Sequence, residues 1–295
     1  MPRLSIRHET RYEYERPVGF GRHRLMVRPR DGHSLRLLDA SLELSPPGST
    51  RWTYDALGNC VCWFQPSGQA PLLKIVSELG LERYPASLAP IDDPHSTFPV
   101  IYEASDRIVL APYAMPSEED SDGMVLSWIR GLIGPPGEPV LTFIQRMNQT
   151  IHDGFKYGER NAEGVQSPSQ TLRSHSGACR DFAWLMVEAL RNLGFACRFV
   201  SGYLYDPAQG GGQVRGGASM HAWCEVFLPG LGWSEFDPTN GLAESADLIP
   251  VAIARVPGDA APISGTLVGD PGRAQLHVQV NVRLIEDNDA QAQAA

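Results

Sequence analysis

The sequence predicts an α+β protein in which an N-terminal antiparallel, sandwich-like β domain precedes a core that mixes helices and strands. Two observations carry this. The first hundred residues alternate apolar and polar positions in runs separated by turn residues, with no helical period between them. From residue 140 onward, stretches with apolar residues three and four apart alternate with further period-2 stretches. A chain of 295 residues that is 42% hydrophobic has enough apolar surface for more than one core, so two domains are expected. The boundaries read as a β domain at 1–105, a catalytic-type core at 106–250 and a C-terminal extension at 251–295.

In the β domain, "LSIRHETRYEY" places Leu4, Ile6, His8, Thr10, Tyr12 and Tyr14 on one side of a strand. Ala40, Leu42 and Leu44 alternate before the turn "SPPGS". Residues Asp55 to Asn59 form a turn into "CVCWF", and "PLLKIVSELGLE" closes the series. The Pro- and acid-rich "APYAMPSEEDSDGM" then reads as a linker or surface loop. After "GPPGEP", Val140, Phe143, Ile144, Met147 and Ile151 recur at helical spacing behind Pro139, which suits a first turn. Near the end, Leu276, Val278, Val280, Val282 and Leu284 alternate strictly with polar residues and predict a strand, whereas "DNDAQAQAA" has nothing to bury and predicts disorder.

Charge and cysteine content exclude several classes. A net charge of −9 and a pI near 5.4 leave no basic surface for nucleic acid or anionic lipid. The N-terminus "MPRLSIRHET" lacks the apolar run of a signal peptide, and no stretch reaches the length of a membrane span, so the expectation is a cytoplasmic protein. Five cysteines, Cys60, Cys62, Cys179, Cys197 and Cys224, are too few and too scattered for a disulfide framework. Cys60 and Cys62 read as packing on one strand face, because no second pair of ligands stands at metal-binding spacing. No cofactor or metal is expected.

The stretch "SHSGACRDFAWL" holds the candidate nucleophile. Cys179, Phe182, Ala183, Leu185, Met186, Ala189, Leu190 and Leu193 run to Gly194 with helical spacing, so Cys179 stands at a helix N-terminus. Unpaired N–H groups and the helix dipole favour an anion there, which suits a thiolate, although cysteine is also a good buried residue. A thiolate needs an imidazole partner. His175 lies close in sequence but in a Ser-rich loop, and reads as exposed or as a loop hydrogen-bonder. His221 opens "HAWCEVF", which "PGLG" turns into "WSEFD"; this is a hairpin with His221 and Asp237 towards the same end of neighbouring strands. With strands about 4.8 Å apart, the two side chains meet if they share a face, and the carboxylate then orients the imidazole. Arg180 and Asp181 read as first-turn residues satisfying local hydrogen bonds. Tyr157 and Gln166 are candidates for a second oxyanion donor beside the Cys179 N–H. A metal site of His221, Cys224 and Asp237 is disfavoured, since residues three apart on a strand point to opposite faces. The glycine-rich "AQGGGQVRGGAS" has no P-loop lysine and no following helix, and reads as a mobile loop beside the cleft.

Taken together, "GACRDFAWLMVEALRNLGFACRFVSGYL" and "HAWCEVFLPGLGWSEFDPTNG" resemble the core of the bacterial transglutaminase-like superfamily, and "HETRYEYERPV", "RLMVRPR" and "DALGNCV" resemble the β domain that accompanies it. The resemblance implies a papain-like fold with Cys179 as nucleophile, His221 as general base and acid, and Asp237 as its orienting residue. It implies acyl transfer on a protein, peptide or small amide substrate, with hydrolysis favoured. The alternatives are amine incorporation, as by a protein-glutamine gamma-glutamyltransferase, and a non-catalytic binding scaffold. Where such members carry a His-Ile and later an Arg-Asp-Tyr run, this chain has Leu248 and Val256-Pro257.

Overall fold

A computed structural model describes residues 3–84, 96–158, 160, 162–205 and 220–285. In chain order the first strands are β1 (Arg3–Phe20), β2 (His23–Leu25), β3 (Leu35–Ser45), β4 (Gly48–Tyr54), β5 (Cys60–Pro66) and β6 (Gln69–Arg83). Then come α1 (Ala104–Ala114), α2 (Met124–Arg130), α3 (Val140–Gly154), β7 (Lys156–Tyr157), α4 (Pro168–Ser174), β8 (Ser176–Gly177) and α5 (Cys179–Arg191). The remainder forms β9 (Cys197–Leu204), β10 (His221–Leu228), β11 (Gly232–Asp237), β12 (Leu242–Ala243) and β13 (Leu248–Ala254). A 3-10 turn at Pro257–Ala260 leads to β14 (Ile263–Ser264), β15 (Leu267–Val268) and β16 (Ala274–Leu284).

The N-terminal region is a two-sheet sandwich. One antiparallel sheet runs β3–β6–β1 with β15 and β16 on the outer side of β1, and the other runs β14–β2–β5–β4. Phe20, Leu25, Cys62, Phe64, Leu73 and Ile75 fill the space between them. Cys62 faces this core, as the strand reading of the Cys-Val-Cys stretch expects, and all five cysteines are free thiols.

The core sheet runs β12–β11–β10–β9–β13, all antiparallel. On one of its faces Ala222, Cys224, Val226, Leu228 and Phe236 pack against α5 and α3; on the other, Val200, Trp223 and Leu248 pack together. The long sandwich sheet also reaches the core sheet: Leu4, Ile6, Leu81 and Val282 bury against Tyr203, Ile249 and Val251. Arg83 fastens this junction, donating from Nε to the Leu248 carbonyl at 2.7 Å and pairing through Nη2 with Glu235.

Three features differ from the sequence reading. The stretch taken as a linker begins in the last turn of α1 and packs on α5, where the N–H groups of Ser117 and Glu118 donate to Glu188 Oε2. Pro112 lies inside α1, in its last turn. Arg191 and Arg255 reach in from elsewhere to donate to the carbonyls of Tyr113 and Pro112, which satisfies the end of that helix. The core boundary drawn at residue 250 falls inside β13, which belongs to the core sheet. The C-terminal strand leaves the core altogether and pairs with β1 from Leu4↔Leu284 to Tyr14↔Ala274. The glycine-rich stretch at 208–219 and the terminal "DNDAQAQAA" lie outside the described residues.

Gly202 shows how tightly the core sheet is built. A Cβ there would lie 2.1 Å from the Ile249 carbonyl oxygen and 2.6 Å from the Trp223 ring. Gly202→Ala is expected to destabilise the fold by about 1–3 kcal/mol through overpacking, seen as a lower urea midpoint at unchanged slope. An unchanged midpoint would show that the sheet has slack there.

Candidate active site

Helix α5 starts at Cys179, and its N-cap is Ala178, whose side chain cannot cap. The first-turn N–H groups are therefore left without a side-chain acceptor from the cap. Asp181, at the third helical position, reaches back instead: Oδ2 accepts from the Ala178 N–H at 2.9 Å and Oδ1 from the Gln166 N–H at 2.7 Å. The Arg160 guanidinium adds two further bonds, at 2.9 and 3.2 Å. Gly177 makes room for this, since a Cβ there would fall 2.9 Å from Asp181 Cβ. Arg180 donates to the carbonyls of Arg160, Ala162 and Gly164. Both residues thus satisfy local hydrogen bonds, as their first-turn positions suggest.

His221 opens β10 opposite Gly202, and Asp237 closes β11. The hairpin places both on one face, and His221 Nε2 lies 2.8 Å from Asp237 Oδ2, with both side chains fully buried. The imidazole stacks on Trp223 at 6.0 Å between ring centres, which fixes its plane. Asp237 has further donors: the Thr239 N–H on Oδ1 at 2.9 Å and Asn240 Nδ2 on Oδ2 at 2.8 Å. Sequence reasoning singled out neither residue. The signal was the Asp-Pro-Thr-Asn turn, which returns two donors to the carboxylate that precedes it.

Burial opposes charge on His221, but the Asp237 carboxylate, by its charge and hydrogen bond, and then Cys179, outweigh it and raise the imidazole pKa to about 10. Asp237 is held below its ordinary value. Burial acts against this, and the charge and hydrogen bond of His221, the Asn240 amide and the Thr239 N–H overcome it. Since Nε2 is taken by Asp237, Nδ1 is the ring nitrogen left for the thiol. It is buried and has no hydrogen-bond partner among the described residues. Of the three residues singled out from the sequence, His221 and Asp237 are in contact, and Cys179 lines the same cavity as His221.

Cys179 and His221 line one cavity of about 1390 Å³, with Trp184, Arg160 and Arg180 on the core side. Its rim includes Val256 and Pro257, the segment where this chain departs from the pattern it resembles. His175 is exposed and packs its ring on Phe155 at 5.1 Å, away from the cavity lining. Tyr157 and Gln166 do not line the cavity; Gln166 Oε1 instead accepts from Thr171 at 3.2 Å. Cys224 faces α5 on the opposite side of the sheet from His221. Among the described residues no group of His, Cys, Asp and Glu is placed to hold a metal ion, and no helix is long and apolar enough to cross a membrane.

Comparison with known proteins agrees with this architecture. Residues 127–238 match the transglutaminase-like superfamily and residues 4–82 the bacterial transglutaminase-like N-terminal region. An uncharacterized protein of Mycobacterium tuberculosis is 26% identical over 294 residues, covering 95% of this chain and 92% of that one. One of Mycobacterium leprae is 35% identical over 122 residues, or 40% of this chain and 42% of that one. The crystal structure of a candidate cysteine protease from Cytophaga hutchinsonii superposes with a TM-score of 0.73 at 20% identity, covering 97% of this chain and 91% of that one. That likeness is one of fold, and it bears out the α+β architecture with a papain-like core.

Proposed function

We propose that this chain, whose residues 127–238 match the transglutaminase-like superfamily and residues 4–82 the N-terminal region of its bacterial members, is a thiol-dependent acyl-transfer enzyme, a peptidase or amidase working through Cys179, His221 and Asp237. The observation that carries this reading is the fully buried 2.8 Å contact between His221 and Asp237, set beside a cysteine at a helix start. Cys179 Sγ attacks the amide carbonyl, and the N–H of Cys179 stabilises the oxyanion. The C–N bond breaks as His221 gives its proton to the departing amine. Water, deprotonated by His221, then attacks the thioester, the acid leaves and the thiol is restored. Water is the proposed acceptor, and an amine at the same position would give amine incorporation instead.

The test is the rate of iodoacetamide alkylation at each cysteine, by peptide mass mapping, across the range from about pH 5 to 9 that brackets an ordinary imidazole and thiol. Cys179 is expected to label far faster than Cys60, Cys62, Cys197 and Cys224 below neutral pH, and to lose that advantage in His221→Ala. Equal rates at all five cysteines would remove the thiolate–imidazolium pair and leave a binding scaffold as the better reading.

The raised imidazole pKa sets the pH dependence. With His221 charged up to about pH 10, the alkaline limb of kcat/KM is expected near that value. In Asp237→Asn the carboxylate charge is gone while burial remains, so the limb moves down towards or below the ordinary imidazole value of 6.5. The ion pair contributes stability above the range where Asp237 takes up a proton. That contribution is complete up to the unfolded imidazole value and is lost as pH rises through about 10. A limb that stays near pH 10 in Asp237→Asn would assign it to another group.

A further inference from the structure

The cavity that holds Cys179 and His221 has a second wall, contributed by the sandwich rather than the core. The even-numbered residues of β1 share one face of the long sheet. At one end of that face Leu4 and Ile6 are sealed against the core sheet; at the other, Leu73 and Ile75 of β6 are sealed against the small sheet. Beside the second of these regions, half-buried Tyr12 pairs in register with Leu73 on one side and Leu276 of β16 on the other, and all three contribute to the cavity lining.

Leu276 is 57% exposed and Leu267 of β15, on the same wall, is 40% exposed. A scattered exposed leucine means little. Two in one concave site, beside a tyrosine and across from a nucleophile, form an apolar subsite. The wall is firmly placed: the Gly21 N–H donates to the Thr266 carbonyl at 2.9 Å, the Met26 N–H to that of Pro262 at 2.7 Å, and Ser201 Oγ to that of Ala260 at 2.6 Å. The core side of the same cavity carries Arg160, Arg180, Glu118 and Glu163, a polar face suited to backbone amides and polar side chains. At about 1390 Å³ the space exceeds the roughly 300–1,000 Å³ of a small-molecule site.

We infer that the substrate is a polypeptide bearing a bulky aromatic or aliphatic side chain near the reacting amide, selected by Tyr12, Leu267 and Leu276 of the sandwich wall. The inference rests on the acyl-transfer reading and extends it to substrate class. It also gives the N-terminal strands and the C-terminal β15 and β16 a role in recognition.

The test uses the full chain and a set of peptidyl acyloxymethyl ketones, which alkylate a thiolate without requiring turnover. Phe, Leu, Asp or Lys is placed at each of three positions, and every rate is divided by that of iodoacetamide, which fills no subsite. The expected result is a preference of at least about tenfold for Phe or Leu over Asp or Lys at one position. Leu276→Asp and, separately, Tyr12→Ala are each expected to cut it several-fold. Leu276 is more than half exposed, so its replacement leaves the fold in place. If iodoacetamide singles out Cys179 but ketone rates ignore the side chain, or both variants keep the full preference, this inference is overturned and acyl transfer stands. If iodoacetamide does not single out Cys179, the failure lies in the acyl-transfer reading, and this inference falls with it.

Discussion

Replacing Cys179 by alanine is expected to lower kcat/KM on a peptidyl coumarin amide by at least about 10⁴-fold, the scale of nucleophile removal in comparable triads, while the protein stays folded. The side chain loses one sulfur at a position already 9% exposed to the cavity. Alanine is the best helix former, so α5 keeps its start. The cost in stability is about 1 kcal/mol or less, because the space left opens onto the cavity instead of forming a closed void. Activity and the urea midpoint measured on the same preparation separate the two effects. A folded Cys179→Ala protein with wild-type turnover would end the assignment of Cys179 as nucleophile.

The second large effect is expected at Asp181, a residue with no place in the chemistry. Its buried carboxylate gathers the Ala178 and Gln166 N–H groups and the Arg160 guanidinium, binding the loop before α5 to the helix start. Asp181→Ala leaves two backbone donors and a guanidinium without their acceptor, and is expected to cost about 3–5 kcal/mol. Iodoacetamide labelling of Cys179 should slow as well, because the turn that carries the thiol loses its anchor. Asp181→Asn keeps the shape and one acceptor oxygen, and is expected to lie between the two. A variant as stable as wild type would mean that water replaces the carboxylate at no cost.

Much of this site is legible along the chain. Helical spacing from Cys179 to Leu193 places the cysteine at a helix start, because each apolar residue there needs a common buried face. A four-residue turn between two alternating runs obliges His221 and Asp237 to lie on adjacent strands; that they share one face follows from the register Cys224↔Phe236, which the chain alone left open. The partners of Asp181 were not legible: they come from residues 160 and 166, in a loop with no period of its own. Nor was Asn240, whose role depends on how the chain turns after Pro238.

By itself, the sequence determined the alternating strands of the β domain, the helices that begin behind Pro139 and at Cys179, and the position of His221 and Asp237 on neighbouring strands, because these follow from short-range rules of period and capping. Only the tertiary structure decided that β16 pairs with β1, that Arg191 and Arg255 complete α1, and that Tyr12, Leu267 and Leu276 wall the same cavity as Cys179. Those outcomes join residues far apart in the chain. They are set by which apolar faces and unpaired carbonyls remain once the local elements have formed, and by the burial gained when those remainders meet.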